Sequence, residues 1–144
     1  QDWESWLACA DIVQLNEVEG ALLAGGPLKS DDVIISFSKQ VISNGSSIVL
    51  VTRGARGSQT IFFNEENDIE ILKNKAYPAK SIQDETGCGD VFLVGFTWNY
   101  LQTGDLAQAS RFANRVASIN CCLRGIDEMS RFRKILIQKD QSPP

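Results

Sequence analysis

The chain has 144 residues, 43% of them hydrophobic and 22% charged, and its formal net charge is −4. This is a globular composition of one-domain size, neither disordered nor fibrous. The acidic balance argues against a nucleic-acid surface, and no apolar run approaches the roughly 20 residues of a membrane helix or follows a signal-peptide pattern.

In chain order, residues 2–10 read as a short amphipathic helix carrying Trp3, Trp6, Leu7 and Ala10. Ile12 to Leu15 make a short strand that runs into Asn16-Glu17-Val18-Glu19 and a second helix, stopped at Gly25-Gly26-Pro27. Ser30 caps a third helix, with Asp31 and Asp32 in its first turn and Val33, Ile34, Phe37, Val41 and Ile42 as its apolar stripe. Ser47 to Thr52 is a β-branched run of the kind buried on both faces of a parallel sheet. A glycine-rich turn, Arg53 to Gly57, leads to a hairpin of Gln59–Phe63 and Asp68–Leu72. A helix from about Cys88 to Leu101 is apolar on nearly every side, which predicts a central, buried element. Gly104 closes it, and Asp105 with Gln108 forms a capping-box start for the next helix. That helix carries Leu106, Ala109, Phe112, Ala113, Val116 and Ala117 on one stripe. Residues 1–137 are expected to form the folded part, with no linker dividing them, and 138–144 a flexible tail. Alternating strands and helices define an α/β chain.

The four cysteines, Cys9, Cys88, Cys121 and Cys122, include no C-x-x-C pair, and there is no histidine to complete a zinc site or a Ser-His-Asp or Cys-His mechanism. Reduced thiols and a cytoplasmic setting are therefore expected, with Cys121-Cys122 serving core packing. General-base work at neutral pH falls to a carboxylate, or second to a lysine.

Chemistry concentrates in Asp84-Glu85-Thr86-Gly87-Cys88-Gly89-Asp90, directly before the apolar helix. Glycines at 87 and 89 let successive N–H groups point into one concavity at a helix start, an arrangement suited to an anion. Asp90 would oppose that anion unless it does chemistry, such as accepting the proton of an attacking hydroxyl. The plainer reading is a capped helix in which Asp90 only complements the dipole. The length of the pattern, extended by Phe92 and Gly95, favours the chemical one.

Asp84, Thr86, Gly87, Gly89, Asp90, Phe92 and Gly95 resemble the C-terminal signature of the PfkB, or ribokinase-like, carbohydrate kinases, with Cys88 where alanine is commonest. The resemblance implies a doubly wound, mostly parallel sheet flanked by helices, here as the C-terminal half with an antiparallel hairpin at one edge. It implies ATP and Mg²⁺ as cofactors, Asp90 as base, and the amides of 87–90 as a hole for the γ-phosphate. Asn16 and Glu19 are similar to the family's N-x-x-E motif, which organises Mg²⁺ and phosphates largely through water, although taken alone they read better as an ordinary capping box. Thr52, Gly54 and Gly57 resemble its nucleotide-lining T-x-G-x-x-G turn, again compatible with a plain glycine turn. Thr86 belongs with the nucleotide site, and Asn114 stands where members carry a helix residue near the adenine. For Arg53 and Arg56 a phosphate contact is the alternative to the commoner reading as solvated loop arginines.

The acceptor implied is a hydroxyl of a small sugar, cyclitol or nucleoside, with no nucleic acid or membrane partner. A non-catalytic ribokinase-like binding or assembly protein is the alternative, and retention of Asp90 beside both glycines weighs against it. A different α/β phosphate binder is remote, since no P-loop or G-x-G-x-x-G pattern is present. The chain opens at Gln1 inside a helical pattern and lacks the segments that resemble the family's N-terminal half. A fragment is therefore expected, completed by a homodimer or by a missing N-terminal half, and inactive as it stands.

Overall fold

A computed structural model describes residues 3–79, 81–125 and 128–140. The chain divides into two compact units, Gln1–Lys75 and Ala76–Pro144, although its composition marks no linker between them.

The first unit is built on a four-stranded sheet of order β1-β2-β3-β4: β1 (Ile12–Asn16), β2 (Ile48–Thr52), β3 (Ser58–Phe63) and β4 (Ile69–Asn74). β1 and β2 are parallel, in register from Ile12↔Ile48 to Asn16↔Thr52. The other two pairings are antiparallel, so the sheet is mixed. The reason lies in chain length: residues 53–57 between β2 and β3 are too few for a crossover and permit only reversal. The β3–β4 turn depends on Asn64, whose Oδ1 accepts the N–H groups of Glu66 and Asp68 at 3.0 and 2.9 Å.

Three helices accompany the sheet: α1 (Trp3–Leu7), α2 (Glu17–Leu23) and α3 (Asp31–Ser43). The first is shorter than expected, and Asp2 lies outside the described residues. Ser30 caps α3 as its sequence predicts, its Oγ accepting the Val33 N–H at 3.4 Å. Ile34, Phe37, Val41 and Ile42 of α3 are buried with Val13, Val49, Val51 and Ile61 of the sheet in one cluster. Each such side chain contributes about 1.5–3 kcal/mol of burial. Val33 is 41% exposed and leaves the predicted stripe, because its neighbour Ile34 already occupies the core direction.

The second unit is helical: α4 (Cys88–Thr103), α5 (Leu106–Cys121) and α6 (Met129–Asp140). α4 and α5 form a helical hairpin whose connection is Gly104, in the left-handed conformation, and Asp105. At Gly95 the helices come so close that an added Cβ would lie 2.5 Å from Cγ2 of Val116. Phe92, Gly95, Phe96 and Asn99 are buried, but Val94, Trp98 and Leu101 are 69%, 56% and 75% exposed. The expectation of an all-round buried α4 is therefore corrected: continuous apolar composition hides which face a partner covers. At α5, Asp105 Oδ1 accepts the Gln108 N–H at 2.9 Å, whereas the Asp105 N–H donates to Thr103 Oγ1, not to Gln108. Only half of the predicted capping box forms. Helix α6 continues through 138–140, which the sequence reading assigned to the tail, and 141–144 lie outside the described residues.

Candidate functional site

In the first unit, the parallel register sets Asn16 beside Thr52, at the carboxyl ends of adjacent strands. Such ends are where open α/β sheets bind ligands. Asn16 is the N-cap of α2 and makes a complete capping box. Its Oδ1 accepts the N–H groups of Val18 and Glu19, both at 2.9 Å, and Glu19 Oε2 accepts the Asn16 N–H at 2.8 Å. The turn after Thr52 tightens into a 3₁₀ segment, Gly54–Arg56, closed by a 2.8 Å bond from the Arg53 N–H to the Gly57 carbonyl. Thr52 and Gly54 thus lie next to Asn16 and Glu19 around one corner of the sheet, with Gly57 leading into β3.

Of the two arginines of this turn, Arg53 is not a solvated loop residue, whereas Arg56 is exposed but ion-paired. Arg53 is only 15% exposed and donates to Glu17 Oε1 at 2.9 Å and to Asp31 Oδ1 at 3.3 Å, while Arg56 pairs with the other oxygen of Glu17. Asp31 also accepts from Gln59 Nε2 at 2.7 Å and from Lys73 Nζ at 2.5 Å. The Lys73 and Gln59 hydrogen bonds hold its carboxyl below the usual carboxylate range. This network joins the starts of α2 and α3 to the 53–57 turn. Sequence reading missed it because Glu17 stands 36 and 39 residues from its two arginine partners.

In the second unit, the loop into α4 begins with Asp84, whose Oδ1 accepts the Thr86 N–H at 2.9 Å. That bond, with one to the Thr86 side chain, holds the Asp84 carboxyl below its ordinary value. Gly87 is the N-cap of α4, at φ 75° and ψ 0°. An L side chain there would be strained by about 1–2 kcal/mol, although nothing obstructs the space. The first bond onto the helix runs from the Val91 N–H to the Gly87 carbonyl at 3.0 Å. The amides of Gly89 and Asp90 therefore precede the helical ladder and suit an external acceptor. The Cys88 amide is differently employed, donating to the Glu85 carbonyl at 3.2 Å. Asp90 sits in the exposed first turn.

The end of α5 grips this loop. The N–H groups of Gln83 and Asp84 both donate to the Cys121 carbonyl, at 2.7 and 3.3 Å, and Asn120 Nδ2 donates to the Thr86 carbonyl at 3.2 Å. Cys121 is half-buried and its sulfur faces Cys88 Sγ at 2.6 Å, so it does not serve core packing alone. Asn114 lies farther back on α5, buried, with its Nδ2 donating to the Ser110 carbonyl at 2.8 Å. No local pattern announces the grip, because its two sides are more than 30 residues apart in sequence.

A strand-end corner in an α/β unit and a glycine-opened helix start with two available amides define an α/β protein with anion-accepting features. The chain belongs to the pfkB family of carbohydrate kinases, which matches it over residues 1–131. It is 31% identical to a ribokinase of Staphylococcus aureus over 78% of this chain and 36% of the relative. To a deoxyribokinase of Salmonella typhi it is 26% identical, over 84% of this chain and 38% of the relative. Among solved structures, that of Arabidopsis thaliana ribokinase complexed with ribose and ATP superposes with a TM-score of 0.76 at 27% identity, covering 85% of this chain and 38% of that one. The chain thus spans between a third and two-fifths of the length of these relatives. The ribokinase-like α/β fold expected from the sequence is present, in part. Among the described residues, no helix is long and apolar enough to cross a membrane.

Proposed function

We propose that the chain is the nucleotide-handling and catalytic part of an ATP- and Mg²⁺-dependent carbohydrate kinase that phosphorylates a hydroxyl of a sugar, cyclitol or nucleoside. The observation that carries this reading is Asp90: an exposed carboxylate in the first turn of a helix whose Gly89 and Asp90 amides are unpaired, opened by a left-handed Gly87. A negatively charged group suits those amides, and the adjacent carboxylate is placed to accept a hydroxyl proton as phosphoryl transfer proceeds. Gly87, Cys88 and Gly89 form the loop of the hole. Of the amides of 87–90, those of Gly87, Gly89 and Asp90 are its available donors, since that of Cys88 is engaged by Glu85.

By their resemblance to the family's motifs, Thr52, Gly54 and Gly57, and separately Thr86 and Asn114, are assigned to nucleotide binding. Asn16 and Glu19 are assigned to Mg²⁺, which neutralises phosphate charge when bound. Asn16 Oδ1 already accepts two amides and Glu19 Oε2 a third. The fit is therefore to a hydrated ion held through water, not to direct ligation by Asn16. The four cysteines are free thiols, which suits a reducing cytoplasm.

Calorimetric titration of the 144-residue chain with ATP and Mg²⁺ tests the reading, with Gly87→Val as comparison. Saturable binding by the wild type that is lost in the variant supports it. A folded wild-type chain that takes up no nucleotide overturns it for this chain, and leaves a ribokinase-like scaffold.

A further inference from the structure

We propose that Cys88 and Cys121 are a reversible thiol–disulfide pair that ties the phosphate loop to the end of α5, with a small disulfide of the glutathione type as oxidant. The two sulfurs are 2.6 Å apart, within easy reach of the ~2.05 Å bond. Both residues are half-buried free thiols. Hydrogen bonds already hold the backbone around Cys88 against that around Cys121. Gln83 and Asp84 donate to the carbonyl of Cys121 itself, and Asn120 Nδ2 reaches both the Thr86 carbonyl and, at 3.4 Å, Cys88 Sγ. Cys122 is turned away, its sulfur facing the Ser118 carbonyl of its own helix at 3.3 Å.

The chemistry balances as two exchanges. A Cys88 thiolate attacks one sulfur of the small disulfide, forming a mixed disulfide and releasing one thiol. Cys121 then attacks Cys88 Sγ, closing the protein disulfide and releasing the second thiol. Two electrons pass from the protein to the reagent, and the two protein thiol protons end on the two thiols released.

The order of attack follows from surroundings. Burial first, then the hydrogen bond and charge of Cys88, push the Cys121 thiol up to about 12. That direction disfavours Cys121 as the first nucleophile. Once Cys88 is a mixed disulfide its thiol no longer opposes ionisation of Cys121, which favours the second step. Gly87 and Gly89 flank the tied residue, so the bond removes the freedom the loop needs to close on a phosphate. That consequence rests on the kinase reading; the bond itself does not.

The test is oxidation of the folded full chain with oxidised glutathione, followed by acid quench, intact mass and peptide mapping. The expected result is a loss of about 2 Da, the two thiol hydrogens, located to a Cys88–Cys121 peptide and reversed by dithiothreitol. Cys122→Ser should retain the bond, and Cys121→Ser should instead accumulate glutathione on Cys88. Wild-type chain in which Cys88 stays unmodified or stays glutathionylated, or in which it pairs with Cys122, overturns the proposal without need of any variant. Titration of both states with ATP and Mg²⁺ should show binding about tenfold weaker when oxidised. Equal affinities overturn the control of the loop. A reduced chain that binds no ATP yet forms the bond defeats the kinase reading and leaves the pair standing.

Discussion

Asp84 and Asp90 lie six residues apart, one in the loop and the other in the first turn of α4, and do different work. Asp84 is structural: its carboxylate takes the Thr86 N–H and sets the turn. Asp90 makes no contribution of that kind to the loop, which is why it is the candidate base. On the proposed kinase reading, Asp90→Asn should lower kcat by about 10²–10⁴-fold with ATP affinity nearly unchanged; a matching loss of ATP binding would make Asp90 a structural residue instead. Asp84→Asn removes only the charge that strengthens the turn. The folded pKa of Asp84 is depressed, so its stabilisation is present above the unfolded value, near 3.9, and disappears as pH falls through the folded one. Denaturant midpoints of wild type and variant should differ by a constant amount above about pH 5 and converge below about pH 4. A gap that persists in acid would contradict the hydrogen-bond account. Both aspartates were visible in the sequence because loop and helix start fall within seven consecutive residues. Cys121, Asn120 and the partners of Arg53 were not, because contacts that close through the fold leave no local trace.

Elements show the same division. Caps at Asn16, Ser30 and Asp105 were legible because each depends on a window of three or four residues. The faces of α4 were not, since the packing partner that selects Phe92, Gly95, Phe96 and Asn99 is a separate helix. That packing yields a quantitative expectation. Replacing Gly95 by alanine gains about 1 kcal/mol of helix propensity, but sets a methyl 2.5 Å from buried, stiff Val116. Overpacking of this kind costs about 1–3 kcal/mol, so the unfolding midpoint should fall; a rise would show that α5 yields freely. The α2 start separates its two readings in a similar way. Asn16→Ala should cost about 0.5–2 kcal/mol as a lost cap. Glu19→Gln keeps an acceptor for the Asn16 N–H, and should leave stability nearly unchanged while, on the proposed reading, raising the Mg²⁺ requirement of phosphoryl transfer. An unaltered Mg²⁺ titration would reduce Glu19 to a capping residue.

For the whole molecule, the sheet divides its pairings by distance along the chain. β2, β3 and β4 form a meander joined by short turns, whereas β1 meets β2 only across the 36-residue separation of Ile12 and Ile48. That arrangement gives the first unit an expected order of events in time. Closing a long loop costs entropy before any contact rewards it. The meander should therefore assemble in the rate-limiting step, with β1 docking afterwards. Ile61→Val, within the meander, should slow refolding, while Val13→Ala, on β1, should leave the refolding rate nearly alone and speed unfolding. Stopped-flow refolding of the two variants would decide it, and a slower rate for Val13→Ala would mean that β1 belongs to the nucleus. The corner that joins Asn16 to Thr52 would then be among the last parts of the first unit to form and the first to open.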